Sequence, residues 1–110
     1  YTARIHKKGV LHIDYSPGNI LYKKENGIYD FVLIDINRMK FTDIDIEKGC
    51  NNFCRLWGDD DFFVTIAKTY AQELGYSQEE CIEKILKYRR IEWKKRKKKS
   101  SLKDFFKRIF

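Results

Sequence analysis

One short stretch of this 110-residue chain carries side chains that suit phosphoryl transfer. The stretch "HIDYSPGN", residues 12–19, places Asp14 two positions after His12, and Asn19 five positions after Asp14. Phosphoryl transfer uses divalent ions that bridge the phosphates, and hard ions such as Mg²⁺ prefer carboxylate and amide oxygens. An acceptor hydroxyl also needs an aspartate within hydrogen-bond reach. The stretch therefore offers the side-chain types that this chemistry requires.

A second aspartate, Asp35, is brought toward this stretch by a predicted β-hairpin. Residues 20–23 and 29–36 are rich in β-branched and aromatic side chains. Between them, Asn26-Gly27 indicates a tight turn, because both residues tolerate positive φ. A tight hairpin brings its two open ends together, so we expect Asn19 and Asp35 to face one metal site.

Helices predominate in the rest of the sequence. Residues 1–8 form a predicted helix that Gly9 ends, whereas residues 37–51 show no sustained period and indicate an extended connector. Residues 59–61 supply N-cap candidates for a helix with one apolar face. The members of that face are Phe62, Phe63, Ile66, Ala67, Tyr70 and Leu74. A capping box at residues 77–80 begins the next helix. This order predicts an α+β protein, mainly α, with one β-hairpin.

Composition sets further limits. Residues 87–110 carry 12 basic and 2 acidic side chains, whereas the net charge of the whole chain is +7. The body of the protein that precedes them is therefore mildly acidic. Cys50, Cys54 and Cys81 have a loose spacing that favours reduced thiols over zinc. No apolar run approaches the roughly 20 residues that cross a bilayer, and no signal-peptide pattern is present. The reduced thiols favour a cytoplasmic protein. We also expect a fragment, since Tyr1 opens what reads as a helix already under way.

The basic segment, residues 94–110, begins with the predicted charged hinge "KKRKKKSS". A short last helix, capped by Ser101 or Asp104, would follow. Its apolar side would hold Leu102, Phe105, Phe106, Ile109 and Phe110. Basic charge beside apolar side chains suits an anionic membrane surface. The alternatives are nucleic-acid binding, which we favour least, a solvated flank, or packing of the last helix against the protein.

The stretch "HIDYSPGN" resembles the H-x-D-x-x-x-x-N catalytic loop of the protein-kinase-like fold, and "LIDIN" takes the place of its D-F-G segment. The resemblance implies that Asp14 is the catalytic base and that His12 braces the loop. It further implies that Asn19 and Asp35 hold Mg²⁺, with ATP as the phosphoryl donor. The motifs that carry this resemblance extend over residues 1 to about 40.

The same resemblance implies a domain assignment. Residues 1–93 would be the C-terminal lobe of the kinase-like fold, and the basic segment would follow it as a tail. No glycine-rich loop is present, and no strand lysine is paired with a helix glutamate. The N-terminal lobe is therefore expected to be absent, and we expect the fragment alone to be inactive.

Departures from the protein-kinase motif indicate which group of kinase-like enzymes the chain resembles. Ser16 and Gly18 stand where serine/threonine kinases usually carry lysine and glutamate, and proline-glycine-asparagine is typical of small-molecule kinases such as aminoglycoside and choline kinases. "FVLIDINRMKF", followed by "NFCRLWGDDDFFVTIAKTYAQELG", most resembles the lipopolysaccharide core kinase (Kdo/WaaP) family. That family phosphorylates inner-core sugars at the cytoplasmic face of the inner membrane. The resemblance therefore implies a lipid-linked sugar substrate and a peripheral membrane location.

Several alternatives stay open at this point. Ser16 and Arg38 are candidate substrate-binding residues, although Arg38 is slightly more compatible with pairing to an acidic neighbour such as Asp43. "GDDD", residues 58–61, indicates a helix N-terminus favoured by the helix dipole rather than a second metal site. Another small-molecule kinase, a pseudokinase or a binding module would share the same motifs, because a fold does not determine an activity.

Overall fold

The structure, a computed structural model, describes residues 1–109 apart from the side chains of Phe105, Phe106 and Ile109. Short strands precede the longer helices. The elements over these residues are α1 (Thr2–Lys7), β1 (Val10–His12), β2 (Ile20–Glu25), β3 (Ile28–Leu33), β4 (Met39–Phe41), α2 (Ile46–Asn51), α3 (Asp60–Leu74) and α4 (Gln78–Ile109). The predicted α+β class, mainly helical, is confirmed.

The predicted hairpin is formed by β2 and β3. The two strands are antiparallel, with Ile20 opposite Leu33 at the open end. Asn26 (φ 51°) and Gly27 (φ 77°) form the turn, and both positive values match a tight hairpin connection. β3 ends at Leu33, three residues earlier than predicted, and the chain then enters a 3₁₀ turn, Ile36–Arg38. Asp35 therefore lies just beyond the strand rather than within it.

Residues 37–51 are not the extended connector that the sequence predicts. β4 pairs antiparallel with β1, so that His12 lies opposite Met39. α2 then begins after Asp45, whose Oδ1 accepts a hydrogen bond from Lys48 N–H at 2.8 Å. A three-residue strand and a six-residue helix are too short to show a hydrophobic period. The prediction was wrong for that reason.

α3 and the first part of α4 form the core with α1 and α2. Asp59 Oδ1 accepts a hydrogen bond from Phe62 N–H at 2.8 Å, which confirms "GDDD" as a helix N-terminus. Ser77 Oγ accepts from Glu80 N–H at 3.3 Å, at the predicted start of α4. The buried apolar side chains are Ala3, Tyr15, Leu33, Cys50, Phe53, Phe63, Ala67, Tyr70, Ala71, Cys81 and Ile85.

α4 runs without interruption through the basic segment. The predicted charged hinge and separate last helix are therefore wrong. Lysine and arginine have high helix propensity, and neither glycine nor proline occurs after Gly75, so nothing in the local sequence ends the helix. The predicted apolar face at Phe105, Phe106, Ile109 and Phe110 lies outside the described side chains. Within residues 1–109, no helix combines the length and apolar character that a membrane crossing requires.

Candidate functional site

The imidazole ring of His12 joins two parts of the site. His12 is fully buried at the end of β1. Its Nδ1 accepts a hydrogen bond from Asp14 N–H at 3.1 Å, so the ring proton resides on Nε2. Nε2–H donates to Ile34 C=O at 2.8 Å. One side chain therefore fixes the loop that carries Asp14 to the residue that precedes Asp35.

Asn19 provides a second link between the same segments. Its amide nitrogen donates to the backbone oxygen of Asp14 at 2.9 Å and to Asp14 Oδ2 at 3.2 Å. The backbone oxygen of Asn19 accepts from Ile34 N–H at 3.0 Å. The short 3₁₀ turn Pro17–Asn19 places Asn19 at the start of β2, where these bonds form. The hairpin thus places Asn19 in contact with Asp14 and with Ile34, the residue that precedes Asp35.

Asp14 also makes an ion pair that the sequence does not predict. Arg55 Nη1 lies 2.9 Å from Asp14 Oδ1, and the hydrogen bond from Arg55 is the main reason that the pKa of Asp14 is below its ordinary value. The two side chains are 42% and 38% exposed, so a solute can still reach the carboxylate. Arg55 follows α2 in an irregular turn, and no local motif marks it.

Arg55 connects the Asp14 carboxylate to α4. Its Nε lies 3.9 Å from Glu92 Oε1, and Arg96 Nε lies 3.5 Å from the same oxygen. Arg96 also donates a hydrogen bond to the Arg55 backbone oxygen at 3.5 Å. The part of α4 that carries Glu92 and Arg96 is therefore in contact with the site.

A chain of hydrogen bonds links the core to the backbone of His12, at the start of the loop that carries Asp14. Tyr70 donates its hydroxyl to His6 Nδ1 at 2.7 Å, and His6 Nε2–H donates to Asn52 Oδ1 at 2.9 Å. Asn52 in turn donates from Nδ2 to the His12 backbone oxygen at 2.8 Å. Burial lowers the pKa of His6, with the Asn52 bond acting in the opposite direction, so the ring is neutral at pH 7. Sequence reasoning missed His6 and Asn52.

Asp35 has an unusual backbone conformation for a residue with a side chain. Its φ of 64° lies in the left-handed region, which non-glycine residues rarely adopt. Such strain persists where surrounding contacts impose it, and it often occurs at functional sites. Here the His12 and Asn19 contacts on Ile34 hold the preceding residue, so Asp35 turns away from the strand.

The oxygen donors near Asp14 are compatible with Mg²⁺. Both hydrogen bonds of the Asn19 side chain use its amide nitrogen, which leaves the amide oxygen available to a cation. Asp35 is exposed and supplies a carboxylate. Within the described residues, no three His, Cys, Asp or Glu side chains form a cluster that would hold an ion. Mg²⁺ uses one or two carboxylates together with water and substrate phosphates, so this donor set suits a shared site.

The two candidate substrate-binding residues lie in different surroundings. Ser16 is half-buried, and its N–H donates to the Asp14 backbone oxygen at 2.9 Å. Arg38 is exposed, and no ion pair joins it to Asp43 in the part of the chain that the structure describes. The predicted Arg38–Asp43 pair is therefore wrong. The backbone oxygen of Arg38 accepts from Ile13 N–H at 2.7 Å, which extends the β1–β4 pairing.

Comparisons with known proteins give no relative for this chain: no protein-family model matches it, and neither the curated proteins nor the solved structures include a match.

Proposed function

We propose that this chain is the C-terminal lobe of a protein-kinase-like phosphotransferase that uses ATP to phosphorylate a hydroxyl of a lipopolysaccharide core sugar. The observation that carries this proposal is the double hydrogen bond of the buried His12 ring. It holds the loop bearing Asp14 against the strand end bearing Asp35. A solvated turn with the same sequence would not require a buried imidazole with both nitrogens engaged.

In this proposal, Asp14 orients the acceptor hydroxyl and takes its proton. Arg55 keeps the pKa of Asp14 low, so the carboxylate is ionised at neutral pH and accepts a hydrogen bond from the hydroxyl. A low pKa makes a weak base. Phosphoryl transfer tolerates this because its transition state is loose, and catalysis depends mainly on positioning and charge stabilisation. Asn19 fixes the Asp14 carboxylate through its amide nitrogen.

Asn19 and Asp35 would hold Mg²⁺ through their side-chain oxygens. An ion held there would supply positive charge to offset the negative charge that develops on the transferred phosphate. His12 holds Asp14 beside the residue that precedes Asp35, because its ring bonds both the Asp14 N–H and the Ile34 backbone oxygen. The strained backbone at Asp35 is consistent with a side chain that must point toward a ligand rather than along the strand.

The basic segment supports a peripheral location on the cytoplasmic side of the inner membrane. Its described lysines are exposed along one continuous helix. Each lysine or arginine near an anionic surface contributes about 1 kcal/mol. Anionic lipid would hold the protein beside a lipid-linked sugar. Nucleic-acid binding remains the less favoured use of the same charge.

A panel of acceptors tests this function against its competitors. A full-length protein that includes the proposed N-terminal lobe is incubated with ATP, Mg²⁺ and one of three acceptors: Kdo-bearing lipid A, kanamycin or choline. We expect phosphate transfer to Kdo-bearing lipid A alone. Transfer only to kanamycin or choline would assign the chain to the other small-molecule kinases. Transfer to none of the three would favour a pseudokinase, a role with which the Arg55 ion pair on Asp14 is also compatible.

A further inference from the structure

A groove beside the Asp14 site exposes two tryptophan side chains. It lies between the turn after α2 and the middle of α4, with a volume of about 470 Å³. Trp57 and Trp93 line it and are 72% and 59% exposed. We call it the tryptophan groove. Its size falls within the range of roughly 300–1,000 Å³ that is usual for small-molecule sites.

Two arginines and one glutamate supply the charged side chains of the tryptophan groove. Arg89 is fixed as one wall, because it pairs with Asp60, donates to Gly58 C=O at 2.7 Å and lies over the Phe63 ring at 4.8 Å. Arg96 is held less tightly, with its Nε 3.5 Å from Glu92. Two guanidinium groups therefore face one carboxylate among the lining residues.

The tryptophan groove is separated from Asp14 by one side chain. Glu92 and Arg96 line the groove, and both contact Arg55, the residue that pairs with Asp14. A ligand lying on the tryptophan rings would therefore be close to the carboxylate that we propose as the base. This arrangement distinguishes the groove from the exposed aromatic side chains of the hairpin, such as Tyr22 and Tyr29.

The side chains of the groove match the chemistry of an anionic sugar. The face of an indole ring is apolar and carries partial negative charge, so it packs well against the C–H face of a pyranose. A guanidinium group binds a carboxylate or phosphate through two parallel hydrogen bonds. We propose that the tryptophan groove binds a sugar bearing a carboxylate or phosphate, with the ring on Trp57 and Trp93 and the anion on Arg96. This site rests on the proposed function, since it would hold the acceptor.

The test titrates the 110-residue chain with the monosaccharide Kdo, an eight-carbon sugar acid, and follows the two indole N–H signals by NMR. We expect saturable shifts of both signals. Trp93→Ala and Arg96→Gln should each weaken Kdo binding by about tenfold, the usual effect of losing one charge-assisted or stacking contact. The matched controls are Phe41→Ala and Arg90→Gln, which change an exposed aromatic and an exposed arginine outside the groove. Both should bind like the wild type.

Three results would overturn this proposal. The first is the absence of saturable shifts with Kdo. The second is equal affinity for methyl glucoside, which lacks the anion. The third is binding of inorganic phosphate or a single-stranded oligonucleotide as tightly as Kdo, with no effect of Trp93→Ala. The titration contains no ATP, so it tests the groove independently of the acceptor panel. Kdo binding in the titration together with no phosphate transfer in the panel would support the groove and count against the phosphotransferase.

Discussion

Asp14 is held by residues from two separate parts of the chain. Asn19 lies five residues away, Arg55 follows α2, and the His12 ring accepts the Asp14 backbone N–H. The His12 and Asn19 contacts are local and lie within the H-x-D-x-x-x-x-N motif. The Arg55 contact spans 41 residues, so it depends on how α2 and the following turn pack onto β1. No spacing rule reaches that far, which is why the sequence did not indicate Arg55.

Removing Arg55 should change the titration of Asp14. In Arg55→Ala, we expect the pKa of Asp14 to rise toward the ordinary aspartate value of about 4, because the hydrogen bond that lowers it is lost. The carboxyl ¹³C shift of Asp14, followed by NMR as a function of pH, measures this directly. Arg90→Ala, a change at an exposed arginine on α4, is the control.

The same variant has a defined effect on stability. A carboxyl whose folded pKa is lowered stabilises the fold above its unfolded pKa, and this contribution is lost as the pH falls through the folded value. The cost of Arg55→Ala should therefore be largest near neutral pH and should disappear in acid. Since the pair is partly exposed, we expect a cost of about 1 kcal/mol or less. An unchanged Asp14 titration in Arg55→Ala would contradict the role of the ion pair.

At the scale of elements, the sequence predicts those with strong local signals. The Asn-Gly turn, the Asp59 cap and the apolar face of α3 each specify an element without reference to the rest of the chain. β4 and α2 are too short to show a period, and they form because β1 and α4 provide surfaces to pack on. The hinge prediction failed because a run of like charges does not end a helix that lacks glycine and proline.

Gly49 on α2 lies against the side chain of Tyr70 on α3, so its replacement by alanine should change the stability of the fold. An alanine in place of a helical glycine usually stabilises by about 1 kcal/mol. Here a Cβ on Gly49 would collide with Tyr70 Oη, which donates to His6. We therefore expect Gly49→Ala to lower the free energy of unfolding by about 1–3 kcal/mol, the usual cost of overpacking. Urea denaturation measures this change.

Two further variants test the cause. Gly18→Ala is the matched control, because a Cβ at Gly18 meets no atom within 4 Å. Tyr70→Phe removes the hydroxyl, so adding Gly49→Ala to it should cost less than in the wild type, a non-additivity expected of residues in contact. Equal costs in both backgrounds would show that the Tyr70 hydroxyl is not the obstacle.

At the scale of the whole molecule, charge is segregated along one axis. The body is mildly acidic, whereas the basic segment extends from it as the continuation of α4. The helix connects the two regions near the Asp14 site through Glu92 and Arg96. Composition alone predicts the segregation of charge. The continuity of the helix and its contact with the site emerge only from the folded arrangement.

Binding to anionic vesicles tests the basic segment. We expect the chain to sediment with vesicles containing phosphatidylglycerol and not with phosphatidylcholine alone. Raising the ionic strength from about 0.1 M to 1 M should release it, because the screening length falls from about 10 Å to 3 Å. Replacing Lys97, Lys98 and Lys99 by glutamate should abolish retention. The same change at Lys7, Lys8 and Lys40, three exposed lysines of the body, should not. Equal effects of the two triple variants would exclude the basic segment as the membrane contact.

The central claim is that Asp14 acts on the acceptor hydroxyl, and phosphate transfer by Asp14→Asn tests it most directly. The variant keeps the size of the side chain but removes its charge. We predict that transfer from ATP to Kdo-bearing lipid A by the full-length protein falls by about 10²–10⁴-fold, the range for loss of a general base. Asp30→Asn, on the exposed face of the hairpin, should retain wild-type transfer. A wild-type rate in Asp14→Asn would contradict the claim.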